Sequence, residues 1–200
     1  MKYRLFKFRA VALASAAALA VVAVLVGLAS CSKADNEFSS YPCRFVFNTS
    51  RHGQSAALLS TVGGTGVFCK VSKTVRGGAQ YYHFETNAGL TDDVIFTTED
   101  QQSTVLLGLN GSIIIGYGNL DVPKTFYAYD TECPNCFSPD AIPLKSRPLK
   151  LTTAGMAVCD VCHRQYNLNT GGNVVGGDNG RKLTRYHASY QADGTVVVIN

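Results

Sequence analysis

The chain carries two Cys-x-x-Cys pairs, Cys133-Pro134-Asn135-Cys136 and Cys159-Asp160-Val161-Cys162. Each pair can wrap a tight turn that directs both of its sulfur atoms toward one point. Two such turns facing each other form a tetrahedral set of four thiolates, which suits zinc or iron. We therefore predict a metal site whose ligands are the four cysteines of these pairs.

The same spacing also permits thiol–disulfide chemistry, because a Cys-x-x-Cys turn can close an internal disulfide. In thioredoxin-type proteins that motif belongs to a βαβ pattern and opens a helix. Here Phe137-Ser138-Pro139-Asp140 follows the first pair, and the second pair leads to Tyr166-Asn167-Leu168, so neither is followed by a helical pattern. Two loops leaving β-structure favour a metal, and thiol–disulfide chemistry is the weaker alternative.

The N-terminal segment has the regions of a secretory signal. Basic residues between Lys2 and Arg9 precede an apolar run over 10–28, and Leu28-Ala29-Ser30 leads directly to Cys31. This boundary resembles the lipobox of bacterial lipoproteins, which implies cleavage before Cys31 and lipidation of its thiol. An uncleaved transmembrane anchor is the alternative, because the apolar run is about 20 residues long.

The predicted organisation is a signal peptide over 1–30, a flexible polar tether over 31–42 and a single domain over 43–200. We expect the domain at the bacterial cell envelope, held on a membrane such as the outer membrane by its lipid anchor, on the periplasmic or the surface face. Four of the 18 basic residues precede the apolar run, so 14 remain against 14 acidic residues. This neutral balance gives a nucleic-acid partner no electrostatic support.

The pattern of residues 43–200 predicts an all-β fold, with one or two helical turns over 55–62. Short runs of β-branched and aromatic residues alternate with turn residues, and Asp193-Gly194 marks a hairpin. Many short strands with frequent turns indicate a small β-sandwich or barrel. The predicted strands cover 44–48, 67–72, 80–85, 93–98, 112–118, 125–130, 186–191 and 195–199.

Cys43 and Cys69 remain after the metal ligands and the lipidated cysteine are assigned. Outside the cytoplasm an unpaired thiol tends to be oxidised, so we consider a disulfide between them. It would close a loop of about 25 residues and contribute about 3 kcal/mol to stability. The alternative is that both are buried, reduced thiols that pack as small apolar side chains.

Residues 116–200 resemble a Rieske-type iron–sulfur domain in the order of their pieces. The strand Thr125–Asp130 resembles the one that enters the first cluster loop, and Cys133-Pro134-Asn135 occupies the place of that loop's Cys-x-His. Cys159–Leu168 resembles the second loop, and the glycines after it resemble the turn that follows. The resemblance implies a small β-sandwich with two metal-binding loops, over 131–140 and 157–168, and a [2Fe–2S] cluster.

The sequence departs from this family at the ligands. A Rieske centre holds one iron with two cysteines and the other with two histidines, whereas Asn135 and Cys162 stand where the histidines belong. Cys133 and Cys159 correspond to cysteine ligands of the family, and Cys162 occupies a ligand position where the family has histidine. Cys136 has no counterpart in the family and is inferred as a ligand from its spacing. Four thiolates would lower the potential of a two-iron cluster, because neutral imidazole ligands raise it, or they would hold a single iron or zinc ion.

Three functions agree with these residues, and the first two are not enzymatic. The first is an electron carrier with a [2Fe–2S] cluster or mononuclear iron and an envelope redox partner. The second is a binding lipoprotein in which a Zn(Cys)4 site clamps two loops, and the third is the thiol–disulfide protein. The sequence shows no catalytic Ser/His/Asp or paired-carboxylate arrangement, and we interpret its histidines as structural or solvated: His52, His83, His163 and His187.

Cys31→Ser tests the N-terminal assignment. Lipidation needs the thiol of Cys31, so the variant should lose its partitioning into the detergent phase while the wild-type protein retains it. Phase separation followed by mass spectrometry of the N-terminal peptide measures both properties. A Cys31→Ser protein that still enters the detergent phase would point to an uncleaved anchor instead.

Overall fold

Two antiparallel sheets and two short helices make up residues 37–200, the part of the chain that the computed structural model describes. The predicted signal peptide, Cys31 and the first half of the tether, residues 31–36, lie outside the described residues. Within residues 37–200, no helix combines the length and the apolar character needed to span a membrane. The prediction of an all-β fold is confirmed in part, because the described residues are mostly β and also form two helices.

The strands alternate with few helical residues along the chain. They are β1 (Arg44–Asn48), β2 (Phe68–Arg76), β3 (Ala79–Thr86), β4 (Thr91–Ile95), β5 (Ser112–Tyr117), β6 (Phe126–Asp130), β7 (Leu149–Leu151), β8 (Met156–Cys159), β9 (Gln165–Asn167), β10 (Asn173–Gly176), β11 (Arg185–Tyr190) and β12 (Thr195–Ile199). The helices are α1 (Ala56–Gly63) and α2 (Thr98–Gln102), and a 3₁₀ turn covers Leu168–Thr170.

The larger sheet is a half-barrel of eight strands in the order β1-β12-β11-β6-β5-β2-β3-β4. The smaller sheet has the order β10-β9-β8-β7. In sequence, the whole smaller sheet lies between β6 and β11, which are hydrogen-bonded neighbours in the larger sheet. The chain therefore leaves the half-barrel after β6, builds the smaller sheet and returns at β11.

Strands β5 and β6 are covered on both faces. In β5 the run Ile113-Ile114-Ile115 is fully buried, and all five residues of β6 are buried. Ile113 and Ile115 face the main core, whereas Ile114 packs with the smaller sheet in a second hydrophobic cluster. A strand buried on both faces has a continuous apolar sequence instead of an alternating one, which explains the isoleucine run.

Helix α2 replaces the end of a predicted strand. The sequence predicted a strand over 93–98, but β4 ends at Ile95 and α2 begins at Thr98. The reason is a capping box: the Asp100 N–H donates to Thr97 Oγ1 (3.2 Å), and the Thr97 N–H donates to Asp100 Oδ2 (2.8 Å). These bonds satisfy two amide groups at the helix N-terminus.

The described end of the tether lies against β11. The ring of Phe38 stacks on His187 with 3.8 Å between centroids, and the guanidinium of Arg185 lies between the rings of Phe38 and Tyr127. The Ser39 N–H donates to the Arg185 carbonyl at 2.8 Å. The compact unit of the structure accordingly starts at Glu37.

Asp100, a residue of α2, is the centre of a buried polar network. Its carboxylate accepts hydrogen bonds from Tyr82 Oη (2.8 Å) and Thr97, and it contacts His52 Nε2 at 3.1 Å. Burial by itself raises the pKa of Asp100, but the hydrogen bonds from Thr97, Tyr82 and His52 outweigh burial and hold the pKa below its ordinary value. The ionised carboxylate therefore stabilises the fold.

Asp100→Asn should lower the free energy of unfolding by about 1–3 kcal/mol at neutral pH, because buried donors lose their acceptor. The folded-state pKa of Asp100 lies below its unfolded value, so its contribution is present above about pH 4 and is lost as the pH falls further. Urea unfolding at neutral and acidic pH measures the free energy of unfolding, which should fall less on acidification in the variant than in the wild type. The control is Asp140→Asn, which changes an exposed carboxylate. If the free energy of unfolding fell equally with pH in the wild type and in Asp100→Asn, the stabilising role of ionised Asp100 would be contradicted.

Candidate metal centre

The four cysteines of the two pairs come together in one group. Their sulfur atoms all lie within 4.8 Å of one another, with 3.7 Å between Cys133 and Cys162 and 3.9 Å between Cys136 and Cys159. Four thiolates bound at about 2.3 Å to one ion form a tetrahedron with edges of about 3.8 Å. The four cysteines are thus placed to hold a metal ion.

The first two ligands lie in the loop that follows β6. The Cys133 N–H donates to the Arg147 carbonyl at 2.9 Å, which fixes the start of the loop. The Cys133 carbonyl then accepts from the N–H groups of Cys136 (3.1 Å) and Phe137 (2.9 Å), so the chain closes a tight turn. This turn directs both sulfurs to the same side, with Cys133 buried and Cys136 half-buried.

The other two ligands lie between β8 and β9. The His163 N–H donates to the Cys159 carbonyl at 2.9 Å, and the Cys159 N–H donates to the Arg164 carbonyl at 3.1 Å. His163 has a φ of 58°, the left-handed conformation that favours glycine, and its side chain is exposed. This conformation closes the turn. The prediction that His163 is a surface residue is confirmed.

Hydrogen-bond donors surround the sulfur atoms. Tyr166 Oη lies 3.3 Å from Cys133 Sγ, and Asn135 Nδ2 donates to Tyr166 Oη at 2.8 Å. Because the tyrosine oxygen accepts from Asn135, its own proton is available to Cys133. The backbone N–H and the side chain of Arg164 lie close enough to Cys162 to lower the pKa of its thiol. Such donors stabilise negative charge on the thiolates.

The thiols influence one another's protonation. Burial by itself raises the pKa of Cys162, but the hydrogen bonds from Arg164 and the neighbouring thiols lower the pKa to about 6. Burial raises the pKa of Cys133 and Cys136, and contact with the other thiols raises it further. One thiolate therefore forms readily, and a bound cation would relieve the repulsion that opposes the others.

A third segment, residues 178–181, connects the two cysteine loops. Arg164 of the second loop donates to the carbonyls of Asp178 (3.0 Å) and Asn179 (3.1 Å). Arg181 reaches the first loop, where its N–H donates to Asn135 Oδ1 (2.9 Å) and its carbonyl accepts from Asn135 Nδ2 (2.9 Å). Its guanidinium also donates to the Pro134 carbonyl.

Gly180 allows this close approach of three segments. A Cβ atom there would lie 2.7 Å from Asn135 Oδ1 and 2.8 Å from Arg164 Nε. Sequence reasoning assigned the glycines after the second loop to a turn. It missed Asn135, Arg164 and Arg181 as partners of the cysteine loops, because only the folded chain brings residues 178–181 next to them.

A buried carboxylate holds the base of the first loop. Glu132 is almost fully buried and accepts from Asn110 Nδ2 (2.6 Å), Ser146 Oγ (2.6 Å) and the Arg147 N–H. These bonds fix the end of the loop next to its start, beside Cys133. Sequence reasoning missed Glu132 because no pattern marks a single acidic residue as buried.

Cys43 and Cys69 belong to the main core and take no part in the metal centre. The structure describes both as free, buried thiols, which is the second of the two arrangements that the sequence left open. Burial raises the pKa of Cys43 to about 11 and that of Cys69 to about 12. Both thiols therefore remain protonated and weakly reactive at neutral pH.

The other histidines make contacts away from the sulfur atoms. His52 lies 3.1 Å from Asp100, and His83 Nδ1 lies 2.7 Å from Asp93 Oδ1. His187 stacks on Phe38, while its neighbour Tyr186 is buried on the other face of β11. These contacts agree with the structural and solvated roles that the sequence predicted.

Comparison with known proteins finds no protein-family model and no curated protein that matches this chain. The resemblance to Rieske-type domains stays a prediction from the order of the sequence motifs. The geometry of the four sulfur atoms and their hydrogen bonds supports the functional proposal below.

Cys159→Ser should abolish stoichiometric metal binding, because a hydroxyl is a much poorer ligand than a thiolate for zinc or iron. Since metal binding and folding are linked, the melting temperature should fall as well. Metal analysis and thermal unfolding measure the two effects. The control is Cys43→Ser, which alters a buried thiol of the main core and leaves all four ligands, so it should keep its metal. An unchanged melting temperature in Cys159→Ser would contradict a role of the site in stability.

Proposed function

We propose that this protein is a membrane-tethered electron carrier of the bacterial cell envelope that binds a single iron ion at its four cysteines. The observation that carries the proposal is the separation of the sulfur atoms, all within 4.8 Å of one another. A [2Fe–2S] core would place two irons and two sulfides between two pairs of thiolates, and the pairs would stand farther apart. The compact sulfur group therefore supports one ion over the two-iron cluster that the family resemblance implies.

The ligand set supports electron transfer over catalysis. Four protein ligands complete a tetrahedral coordination shell and leave no position for a substrate or a water molecule. A bound iron would supply a one-electron couple, which needs no open coordination position. A closed site of this kind is consistent with a carrier that exchanges electrons with another protein.

The burial of the ligands suits exchange of electrons at the surface. Cys133 and Cys159 are buried, whereas Cys136 and Cys162 are half-buried and connect the centre to the solvent. Val161, between the second pair of cysteines, is 53% exposed. A redox partner docking here would lie next to two of the four ligands. We propose that such a partner belongs to the envelope and that the lipid on Cys31 keeps the carrier at the membrane.

The insertion of the smaller sheet supports the proposed relation to Rieske-type domains. The first cysteine loop leaves β6, the second joins β8 to β9, and the chain returns to the half-barrel at β11. Two metal-binding loops on a small β-sandwich are what the resemblance implies. The four thiolates in place of mixed ligands would give this member a different metal and a different potential.

A zinc clamp is the second candidate, and a specific observation favours it. The first pair of cysteines follows a strand of the half-barrel, and the second pair belongs to the smaller sheet, whose strands have only three or four residues. Strands this short contribute little stability on their own. A zinc ion between the pairs would join the two sheets, and the function would then be the binding of a partner.

Metal content and the visible absorption spectrum of the full chain, purified in detergent without oxygen, separate these functions. About one iron per chain with a thiolate charge-transfer band would support the electron carrier. About one zinc per chain without colour would overturn the iron proposal in favour of the clamp. A protein without metal and without free thiols would overturn both and leave the thiol–disulfide alternative.

Tyr166→Phe should lower the reduction potential of the iron-loaded protein. Loss of the hydrogen bond to Cys133 destabilises the reduced state, which carries more negative charge. The reduction potential should fall by an amount on the order of 40–60 mV. The matched control is Tyr129→Phe, since Tyr129 is buried in the same cluster but donates to the Leu168 carbonyl at 2.8 Å. Voltammetry of the two variants should show the shift in Tyr166→Phe alone, and equal potentials would remove Tyr166 from the electronic control of the site.

A further inference from the structure

We propose that the four cysteines also have a metal-free covalent state with two disulfides between the loops, Cys133–Cys162 and Cys136–Cys159. The inference rests on the proposed function, because the same four thiols bind the ion. It adds a specific modification of that site: oxidation replaces the metal by two covalent bonds and so regulates metal binding.

The pairing follows from the sulfur contacts. The 3.7 Å contact joins Cys133 of the first loop to Cys162 of the second, and the 3.9 Å contact joins Cys136 to Cys159. Each cysteine takes part once, so both disulfides can form in the same molecule. The sulfur atoms of a disulfide are about 2 Å apart, so each pair has to close by about 2 Å.

Direct hydrogen bonds hold the two loops together independently of an ion. Asn135 of the first loop forms two bonds with the backbone of Arg181, and Arg164 of the second loop forms two bonds with the carbonyls of residues 178 and 179. Both loops are thereby attached to the same segment. Loss of the ion leaves these bonds in place, and the sulfur atoms of opposite loops continue to face each other.

The sulfur contacts favour pairing between the loops over internal pairing of each Cys-x-x-Cys motif. All four sulfurs lie within 4.8 Å of one another, and the sulfur–sulfur contacts at 3.7 and 3.9 Å both join opposite loops. An internal disulfide requires both sulfurs of one loop to turn away from their contacts in the other. A disulfide between the loops requires only that an existing sulfur–sulfur contact shortens.

Each proposed pair combines a half-buried and a buried cysteine. The half-buried Cys162 and Cys136 are the thiols that an oxidant reaches first, and the buried partners are Cys133 and Cys159. With a small disulfide as oxidant, the thiolate of the accessible cysteine attacks one sulfur and releases one thiol. The buried cysteine then attacks the mixed disulfide and releases the second thiol. Formation of each protein disulfide thus transfers two electrons and two protons from two cysteine thiols to one molecule of the oxidant disulfide.

Peptide mapping of the full chain tests the connection between the loops. The protein is reduced, stripped of metal with a chelator, freed of both reagents and treated with oxidised glutathione. The intact mass should fall by about 4 Da as two disulfides form. Trypsin should then release residues 125–145 and residues 151–164 as one linked species that separates on reduction. Two unlinked peptides with internal disulfides would overturn the inference, and so would four persistent thiols.

Two double variants test the pairing. Cys136→Ser/Cys159→Ser leaves Cys133 with Cys162, which are in contact, and should lose both thiols to a disulfide. The matched control Cys136→Ser/Cys162→Ser leaves Cys133 with Cys159 and should keep both thiols under the same conditions. Fragmentation of the linked wild-type peptides assigns the same pairs without any substitution. Disulfides between Cys133 and Cys159 in either experiment would overturn the proposed pairing.

Metal analysis of the same preparation before chelation separates the two proposals. A linked species from a protein that was purified without metal would overturn the proposed metal function and retain the disulfide inference. A metal-containing protein whose stripped form gives internal disulfides would retain the metal function and overturn the inference. Recovery of metal binding after reduction of the linked form is the expected sign of a reversible exchange between the two states.

Discussion

The convergence of four sulfur atoms on one point is the constraint on which this part of the structure depends. Thiolates within 4.8 Å of one another repel, and burial makes the ionisation of Cys133 and Cys136 more costly. Two chemical changes relieve this repulsion. A cation can neutralise the charge, or oxidation can remove it by forming covalent bonds between sulfurs. The hydrogen bonds from Tyr166, Asn135 and Arg164 keep the site assembled for either change.

The half-barrel supports the centre by supplying the strand that leads to it. β6 is buried on both faces, and Cys133 follows it after two buried residues, Thr131 and Glu132. The position of the first ligand is therefore fixed by the most buried strand of the domain. The Arg147 N–H donates to Glu132 and the Arg147 carbonyl accepts from the Cys133 N–H, so the end of the loop is bonded to its start. Both ends of the loop are therefore fixed, although its middle is exposed.

The second cysteine loop has less support from its own sheet and more from side-chain contacts. β8 and β9 have four and three residues, too few to hold a loop by sheet pairing alone. Arg164 compensates by bonding to the carbonyls of residues 178 and 179, and Arg181 of the same segment bonds to Asn135 of the first loop. The proposed exchange between metal and disulfides uses this property, since the connection between the loops does not depend on the ion.

The sequence alone determined which four cysteines could hold a metal ion and the mostly β character of the domain. Two Cys-x-x-Cys pairs limit the chemistry to thiolates, and the short runs of β-branched and aromatic residues gave β1 and β12 with their observed bounds and α1 to within one residue at each end. These features could be predicted because they follow from local spacing and local residue preference. The strands of the smaller sheet are too short to show a period, and α2 depends on a capping box of only four residues.

Only the tertiary structure decided how close the four sulfurs lie to one another and which other residues contact them. The S–S separations depend on the packing of a loop from the half-barrel against a loop from the smaller sheet, which are distant in sequence. The roles of Asn135, Arg164, Arg181 and Glu132 also arise from contacts between distant segments, and so does the burial of Cys43 and Cys69 as separate thiols. The local sequence gives the type and spacing of residues. The distances between the thiols, which determine their charge and reactivity, exist only after the fold has brought distant segments together.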